Sequence, residues 1–226
     1  IEIIIHDDAS TDGTVSIIKN YQKLYPNIIT CIQQKKNQYS LDPQLPYINL
    51  LKRAKGQYIA LCEGDDFWDK THKLQIQKDF MERNLDFAFC FHRVNECDQT
   101  SQYNSYDAYT VLPKNKNQEV SLKNVILNHF IPTLSIFFRR TLLLPYLNYA
   151  KGDFLSGDIF TCVVLAMQGR GYYFNDIIGV YRHHDNGVTK TFENTNAVIC
   201  RARQYENLYK VLLSIAPENA HGYVRL

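Results

Sequence analysis

Short apolar runs alternate with amphipathic segments from residue 1 to residue 97, and this alternation predicts strands and helices in turn. Runs of β-branched and aromatic residues predict strands at "IEIII", "NIITCIQQ", "QYIALC" and "DFAFCFHRV". Helical spacing of apolar residues predicts helices in "TVSIIKNYQKLY", "PYINLLKRAKG" and "KTHKLQIQKDFMERN". We expect Ser10, Thr11 or Asp12 to cap the first helix and Gly56 to end the second. The β-α-β-α-β-α-β order predicts an α/β fold with a mainly parallel central sheet and helices on both faces.

The second half of the chain is less regular. Residues 98–120 are polar and without a clear period, so we expect a long surface loop, which in a compact domain is often functional. Beyond it the pattern predicts, in order, a helix near 121–129, a strand at "TLSIFF", a helix from about 156 to 168, a pair of strands across 172–182 and a helix from about 195.

Composition and charge limit the class of protein and the compartment to which the chain can belong. The 25 Lys and Arg residues nearly balance the 23 Asp and Glu residues, and no basic stripe of the kind that nucleic-acid binding needs is present. No apolar run approaches the roughly 20 residues that span a bilayer, and no signal peptide is visible. The six cysteines are scattered without a CxxC pair, which is typical of reduced thiols in a cytosolic protein. Because the sequence opens inside a strand without Met, we expect an N-terminal piece to be missing.

Carboxylates follow two of the predicted strands. Asp7 and Asp8 end the first predicted strand, one residue beyond "IEIII", and Glu63, Asp65 and Asp66 come directly after "YIALC". In open parallel sheets, ligands bind beyond the carboxyl ends of the strands. Clustered carboxylate oxygens at such an edge suit Mg²⁺ or Mn²⁺, and Mg²⁺ is typically shared with substrate phosphates. Each stretch, taken alone, also fits a turn with a helix N-cap.

Three ordered motifs, between residue 1 and about residue 190, resemble family 2 glycosyltransferases. "IEIIIHDDASTDGT" is similar to the family's strand-to-helix signature, whose usual form is close to "VVDDGSTDGT". "AKGQYIALCEGDDFWDKTHKLQIQ" resembles the segment with the DXD-type metal motif, and "SGDIFTCVVLAMQGRGYYFNDIIGVYRHHDNGVT" resembles the later Gly-Asp and "YRxHxxG" part. The resemblance implies a GT-A-like fold in a single domain over 1–226. Within it we expect a Rossmann-like nucleotide-sugar half (1–97), an acceptor half (98–190) and a helical C-terminal segment (191–226).

The resemblance also implies site residues. Asp8 matches the contact to the nucleotide base, with Asp7 beside it and Asp65 in the DXD-type motif near the nucleotide. Asp66 matches the metal ligand, joined by His184 of the "YRxHxxG" segment. Asp158 of "SGD" matches the catalytic base. Since His183 and His184 are adjacent, we expect at most one of them to reach the metal.

The activity implied is metal-dependent, inverting transfer of a sugar from a nucleoside-diphosphate sugar to a saccharide or lipid-linked saccharide acceptor. Mn²⁺ or Mg²⁺ is the implied cofactor. Surface-polysaccharide synthesis is the implied setting, in the cytoplasm with peripheral association at the inner face of the membrane. The chain departs from the family pattern in that it starts at what would be the second strand, so we expect the first strand-helix unit to be missing from this sequence.

Two alternatives remain open. A non-catalytic nucleotide-sugar-binding relative would share all of these motifs. A Mg²⁺-dependent phosphotransfer domain also gathers acids at strand ends, but it would need a nucleophilic Asp and a later Lys, and "EGDDFW" fits that pattern poorly.

Overall fold

A computed structural model describes residues 1–100, 102–104, 116–128, 131–150 and 157–185, together with residues 206, 209, 210, 213 and 215. The predicted loop over 98–120 lies partly, and the predicted helix from about 195 mostly, outside the described residues. The chain divides into two compact units. The first takes in Ile1–Gln57, Leu144–Phe160 and Arg203–Leu226, and the second takes in Tyr58–Leu143 and Thr161–Ala202.

The first unit contains a parallel βαβ element. Its strands are β1 (Ile3–Asp7) and β2 (Ile29–Gln33), and the intervening helix is α1 (Thr14–Leu24). Helix α2 (Leu45–Arg53) and a 3₁₀-helix (Leu144–Tyr149) also belong to this unit. The hydrophobic pattern predicted β1, α1 and β2. Helix α1 is the crossover that a parallel pair of strands needs.

The helix ends of the first unit differ in detail from the expected caps. The N-cap residue of α1 is Gly13, while the Asp12 carboxylate accepts a hydrogen bond from the N–H of Thr14 at 2.9 Å. Helix α2 ends at Arg53, with Ala54 as its C-cap, rather than at Gly56. The N–H of Gly56 instead donates to Glu2 Oε1 at 2.7 Å. The sequence therefore placed the helices correctly but not the residues that end them.

The second unit contains most of the strands. Its elements are, in chain order, β3 (Tyr58–Ala60), β4 (Phe67–Trp68), α3 (Lys73–Arg83), β5 (Phe87–Cys97), β6 (Tyr103–Asn104), β7 (Gln118–Val120), α4 (Leu122–Asn128), a 3₁₀-helix (Thr133–Ser135), β8 (Phe137–Arg139), α5 (Arg140–Leu143), the greater part of α6 (Gly157–Gln168) and β9 (Arg170–Arg182). The strand pair expected across 172–182 is thus one strand, β9.

The strand directions in this sheet differ from the mainly parallel arrangement expected from the sequence. The order is β3-β8-β5-β9-β4, with β6 on β5 and β7 on β9. Only β5 and β9 run parallel, and the other five described pairs are antiparallel. The predicted α/β class is correct. The strand directions were not predicted because they depend on which strands pair, and the hydrophobic period of one segment gives no information about its partner.

The core of the second unit lies on β5 and β9. Phe89, Cys90 and Phe91 on β5 and Tyr173 on β9 are fully buried. Gly171 on β9 faces the Phe89 ring so closely that an added Cβ would lie 2.3 Å from Phe89 Cζ. These two long strands lie next to each other in the sheet, and the carboxyl end of β9 leads into the candidate site.

Candidate active site

The acidic segment after β3 runs directly into β4, a strand that the sequence did not predict. In β4, Phe67 pairs with Val180 and Trp68 pairs with Gly179 of β9. The indole N–H of Trp68 donates to the carbonyl of Leu134 at 2.9 Å. The backbone directly after the acids is therefore fixed both by a strand partner and by a side-chain hydrogen bond.

Asp66 is the buried acid of the segment, with 9% of its surface exposed. Its Oδ1 accepts a hydrogen bond from the N–H of Arg182 at 3.0 Å, and its Oδ2 is buried without a hydrogen-bond partner. Burial raises the pKa of Asp66 to about 6. The N–H of Arg182 and the side chain of Glu63 oppose this rise, and the nearby charge of Asp65 adds to it. An ionised oxygen without a donor is costly when buried, and a bound cation would relieve that cost.

Asp65 is exposed, and its carboxylate lies 2.8 Å from Nε2 of His184. The neighbouring His183 contacts a different acid, since its Nε2 lies 2.6 Å from Oε2 of the buried Glu96. The N–H of His183 also donates to the carbonyl of Cys97 at 2.8 Å. The structure thus brings Asp65, Asp66 and His184 together at the end of β9. Sequence reasoning missed Glu96, whose only signal was an acidic residue near the end of the predicted strand.

In the first unit, Asp7 is the last residue of β1 and Asp8 follows it, so both lie at the strand end as predicted, but they occupy different surroundings. Asp7 is 3% exposed, and its Oδ1 is buried without a hydrogen-bond partner. Both oxygens of Asp8 accept backbone hydrogen bonds from the loop after β2, from Gln38 at 2.7 Å and from Tyr39 at 2.8 Å. Asp8 therefore holds that loop in place.

Ala9, which follows these acids, has a backbone φ of 66°. This left-handed conformation costs an L-residue with a Cβ on the order of 1–2 kcal/mol, whereas glycine adopts it freely. The family signature usually has glycine at this position, and the backbone explains why. The turn after Asp8 keeps its conformation even with alanine.

Asp158 lies in the first turn of α6, where its Oδ1 accepts a hydrogen bond from the N–H of Ile159 at 2.8 Å. Burial is the main cause of a raised pKa at this carboxyl. The preceding Gly157 packs against α2, since a Cβ there would lie 3.0 Å from the Tyr47 ring. The expected helix start at the Gly-Asp pair is confirmed, and the glycine allows the helix to begin so close to Tyr47.

A bound divalent cation has partial support from these residues. Within the described parts of the chain, no group of three or more His, Cys, Asp or Glu side chains is arranged to hold a metal ion by itself. Mg²⁺ usually takes only one or two protein carboxylates and completes its shell with water and phosphate oxygens. The unpartnered Oδ2 of Asp66 fits that smaller role.

Comparison with known proteins gives the family. The family model "Glycosyl transferase family 2" matches residues 1–143, and the chain belongs to that family. An uncharacterized protein of Mycobacterium tuberculosis is 30% identical over 188 residues, which are 83% of this chain and 51% of that protein. The putative teichuronic acid biosynthesis glycosyltransferase TuaG of Bacillus subtilis is 27% identical over 190 residues, 83% of this chain and 69% of TuaG.

The solved structures give the fold. The crystal structure of an S. aureus TarS fragment in complex with UDP matches with a TM-score of 0.65 at 18% identity, over 97% of this chain and 58% of that chain. The GT-A-like α/β fold expected from the sequence is thereby confirmed. The chain spans 51% of the length of the mycobacterial relative and 58% of the TarS fragment.

Proposed function

We propose that this protein is a metal-dependent, inverting glycosyltransferase. The donor is a nucleoside-diphosphate sugar, and the acceptor is a saccharide or lipid-linked saccharide of a surface polysaccharide. The observation that carries the proposal is the acidic segment fixed at the end of β9, where Asp66 has an unpartnered oxygen beside the Asp65–His184 pair. Membership of the family, the named role of TuaG and the UDP bound to TarS support it.

The donor side of the reaction is assigned to the acids at the strand ends. Asp66 and His184 would hold Mn²⁺ or Mg²⁺, and Asp65, Asp7 and Asp8 would contact the nucleotide. When bound, such an ion acts as a Lewis acid that stabilises the charge of the departing diphosphate. The hydrogen bond from Arg182 N–H fixes Oδ1 of Asp66, which leaves Oδ2 as the oxygen available to a cation.

The acceptor side is assigned to Asp158. A carboxylate with a raised pKa is a stronger base than an ordinary one, and it can take the proton of an acceptor hydroxyl within hydrogen-bond reach. Attack by that hydroxyl on the side opposite the leaving diphosphate would invert the anomeric centre in a single displacement.

A peripheral position at the inner face of the membrane is part of the same proposal. Among the described residues, no helix is long and apolar enough to cross a membrane. A lipid-linked acceptor would bring the enzyme to the membrane surface through its substrate.

Calorimetry on the full-length protein tests the donor site. UDP, GDP, CDP and dTDP are titrated with and without Mn²⁺, into wild type, Asp66→Ala and the matched control Asp69→Ala, which alters an exposed acid of the same segment. We expect one nucleotide to bind, to require Mn²⁺, and to be lost only in Asp66→Ala. Binding that ignores both the ion and Asp66 would overturn the metal assignment.

Transfer assays test the base. Asp158→Asn should keep nucleotide binding and lose sugar transfer, while Asp176→Asn, at an exposed position on β9, should keep both. Full activity in Asp158→Asn would refute the base assignment. Nucleotide binding without any transfer by the full-length wild type, with acceptors supplied, would favour the non-catalytic alternative.

A further inference from the structure

A lysine is buried behind the acidic segment. Lys73 is the first residue of α3 and has 1% of its surface exposed. Its Nζ donates to Gln77 Oε1 at 2.8 Å and lies 4.1 Å from the centroid of the Trp68 ring. Among the residues that the structure describes, no carboxylate pairs with this amine.

Lys73 and Trp68 are tied to the same short segment. The amide of Gln77, which is fully buried, donates to the carbonyl of Ser135 at 2.8 Å, and the Trp68 indole donates to the adjacent carbonyl of Leu134. The ammonium, the indole and the 3₁₀-helix Thr133–Ser135 therefore form a connected buried network. A shift of any one member would strain the others.

Trp68 links this network to the acids. It lies two residues after Asp66 and pairs with Gly179 of β9, the strand whose last residue, Arg182, donates its N–H to Asp66. A cation over an aromatic face is attracted by the ring quadrupole, and the attraction disappears when the cation loses its charge. The restraint on Trp68 therefore depends on the protonation of Lys73.

The groups around Lys73 keep a constant charge near neutral pH. Those that interact with it electrostatically are the thiols of Cys62 and Cys90 and the imidazole of His92. Burial raises the pKa of the Cys90 thiol and lowers the pKa of His92 to about 3. Cys62 is exposed as a residue, but local desolvation and the charges of Asp66 and Glu63 raise the pKa of its thiol to about 12. Burial also lowers the pKa of Lys73 to about 7. Lys73 is thus the member of this group that changes charge near pH 7.

Stability does not account for this lysine. A long side chain usually extends its charged end to water, but an exposure of 1% rules that out here. A buried charge without an opposite charge weakens the folded state, and an apolar residue of similar size would pack there without that cost.

We propose that Lys73 is a positioning residue whose ammonium, seated on the face of Trp68, holds β4 and Asp66 in place for donor binding, and that this restraint is lost on deprotonation. The part that concerns donor binding rests on the function proposed above. The part that concerns Trp68 does not.

The experiment uses the fact that Trp68 is the only tryptophan of the chain. Fluorescence emission is titrated from about pH 5.5 to 9 without metal, in wild type, Lys73→Met and Lys78→Met, since ordinary lysines stay charged over that range. Lys78 is the matched control because it is an exposed lysine of the same helix, paired with Glu82. Circular dichroism confirms folding at each pH.

We expect a change in Trp68 emission with a midpoint near pH 7 in wild type and Lys78→Met, and no change with that midpoint in Lys73→Met, where a transition near pH 6 would report the titration of Asp66 instead. The same transition in Lys73→Met, or none in folded wild type, would overturn the proposal. A second experiment measures the affinity for UDP, or for whichever nucleoside diphosphate binds with Mn²⁺. Lys73→Met should bind it about tenfold more weakly than wild type at pH 6.5, and this difference should be smaller at pH 8.5. Equal affinities at pH 6.5 would refute the positioning role.

The experiments can refute the proposed function and the proposed role of Lys73 independently of each other. If no nucleotide binds to wild type, the proposed function fails, while the fluorescence titration still decides whether Lys73 controls Trp68. If nucleotide binds and the Lys73-dependent fluorescence change is absent, only the role of Lys73 is refuted.

Discussion

Nε2 of His184 lies 2.8 Å from Oδ2 of Asp65, although 119 positions separate the two residues. Next to this contact, the N–H of Arg182 donates to Asp66. The successive acids Asp65 and Asp66 thus contact two residues close together in sequence, His184 and Arg182. The conformation of the acidic segment therefore depends on the residues at the end of β9.

Removal of His184 should affect binding far more than stability. The side chains of His184 and Asp65 are 27% and 45% exposed, and exposed pairs of this kind contribute at most about 1 kcal/mol. If His184 supports the cation, His184→Ala should weaken Mn²⁺-dependent nucleotide binding about tenfold or more while changing the free energy of unfolding little. Calorimetry and urea unfolding measure the two effects. The exposed His72, changed to alanine, is the control, and an unchanged affinity in His184→Ala would remove that residue from the site.

Gly171→Ala should destabilise the second unit. An added Cβ would lie 2.3 Å from Cζ of the fully buried Phe89, too close for either group to remain in place. Overpacking of this kind costs roughly 1–3 kcal/mol, which urea unfolding would detect. In the matched control Gly64→Ala, the new Cβ meets nothing within 4 Å, so its stability should stay close to that of wild type. Equal stability of the two variants would contradict the packing described here.

The sequence predicted the elements that have a strong local pattern. Strand β1, helix α1 and strand β2 follow from apolar runs and helical spacing, and the acids at the end of β1 and after β3 stand out because they follow runs of apolar residues. Strand β4 was not predicted because two residues, Phe67 and Trp68, carry no period. Its extended backbone comes from pairing with β9, more than 100 positions later.

The sequence also could not show which polar residues are buried. Lys73 lies in "KTHKLQIQK", where it resembles its exposed neighbours Lys70 and Lys78. Its burial depends on Trp68 and on the 3₁₀-helix Thr133–Ser135, which only the folded chain brings together. Sequence reasoning therefore found the acids of the candidate site but missed the lysine behind them.

Replacement of Lys73 by methionine should raise stability, most strongly at low pH. The pKa of Lys73 falls from 10.5 to about 7 on folding, so the folded state carries the full cost of the buried charge below pH 7. That cost shrinks as the pH rises from 7 to 10.5 and is absent above it. The gain should be on the order of a few kcal/mol at pH 6 and smaller at pH 9, as measured by urea unfolding. Lys78→Met should show no gain of this form, and a Lys73→Met variant less stable than wild type at every pH would contradict the prediction.

Asp66→Asn should stabilise the metal-free protein at neutral pH while it removes metal-dependent nucleotide binding. Folding raises the pKa of Asp66 from 3.8 to about 6, so the ionised carboxylate weakens the folded state above pH 6, and this penalty vanishes as the pH falls to 3.8. The amide oxygen of asparagine can still accept the N–H of Arg182, so the gain at pH 7.5 should approach about 2 kcal/mol and decline towards pH 4. Urea unfolding without metal measures it, with the exposed Asp69→Asn as a control that should show no such trend. An Asp66→Asn variant less stable than wild type at pH 7.5 would mean that the carboxylate stabilises the fold, and the cost we assign to its unpartnered oxygen would be wrong.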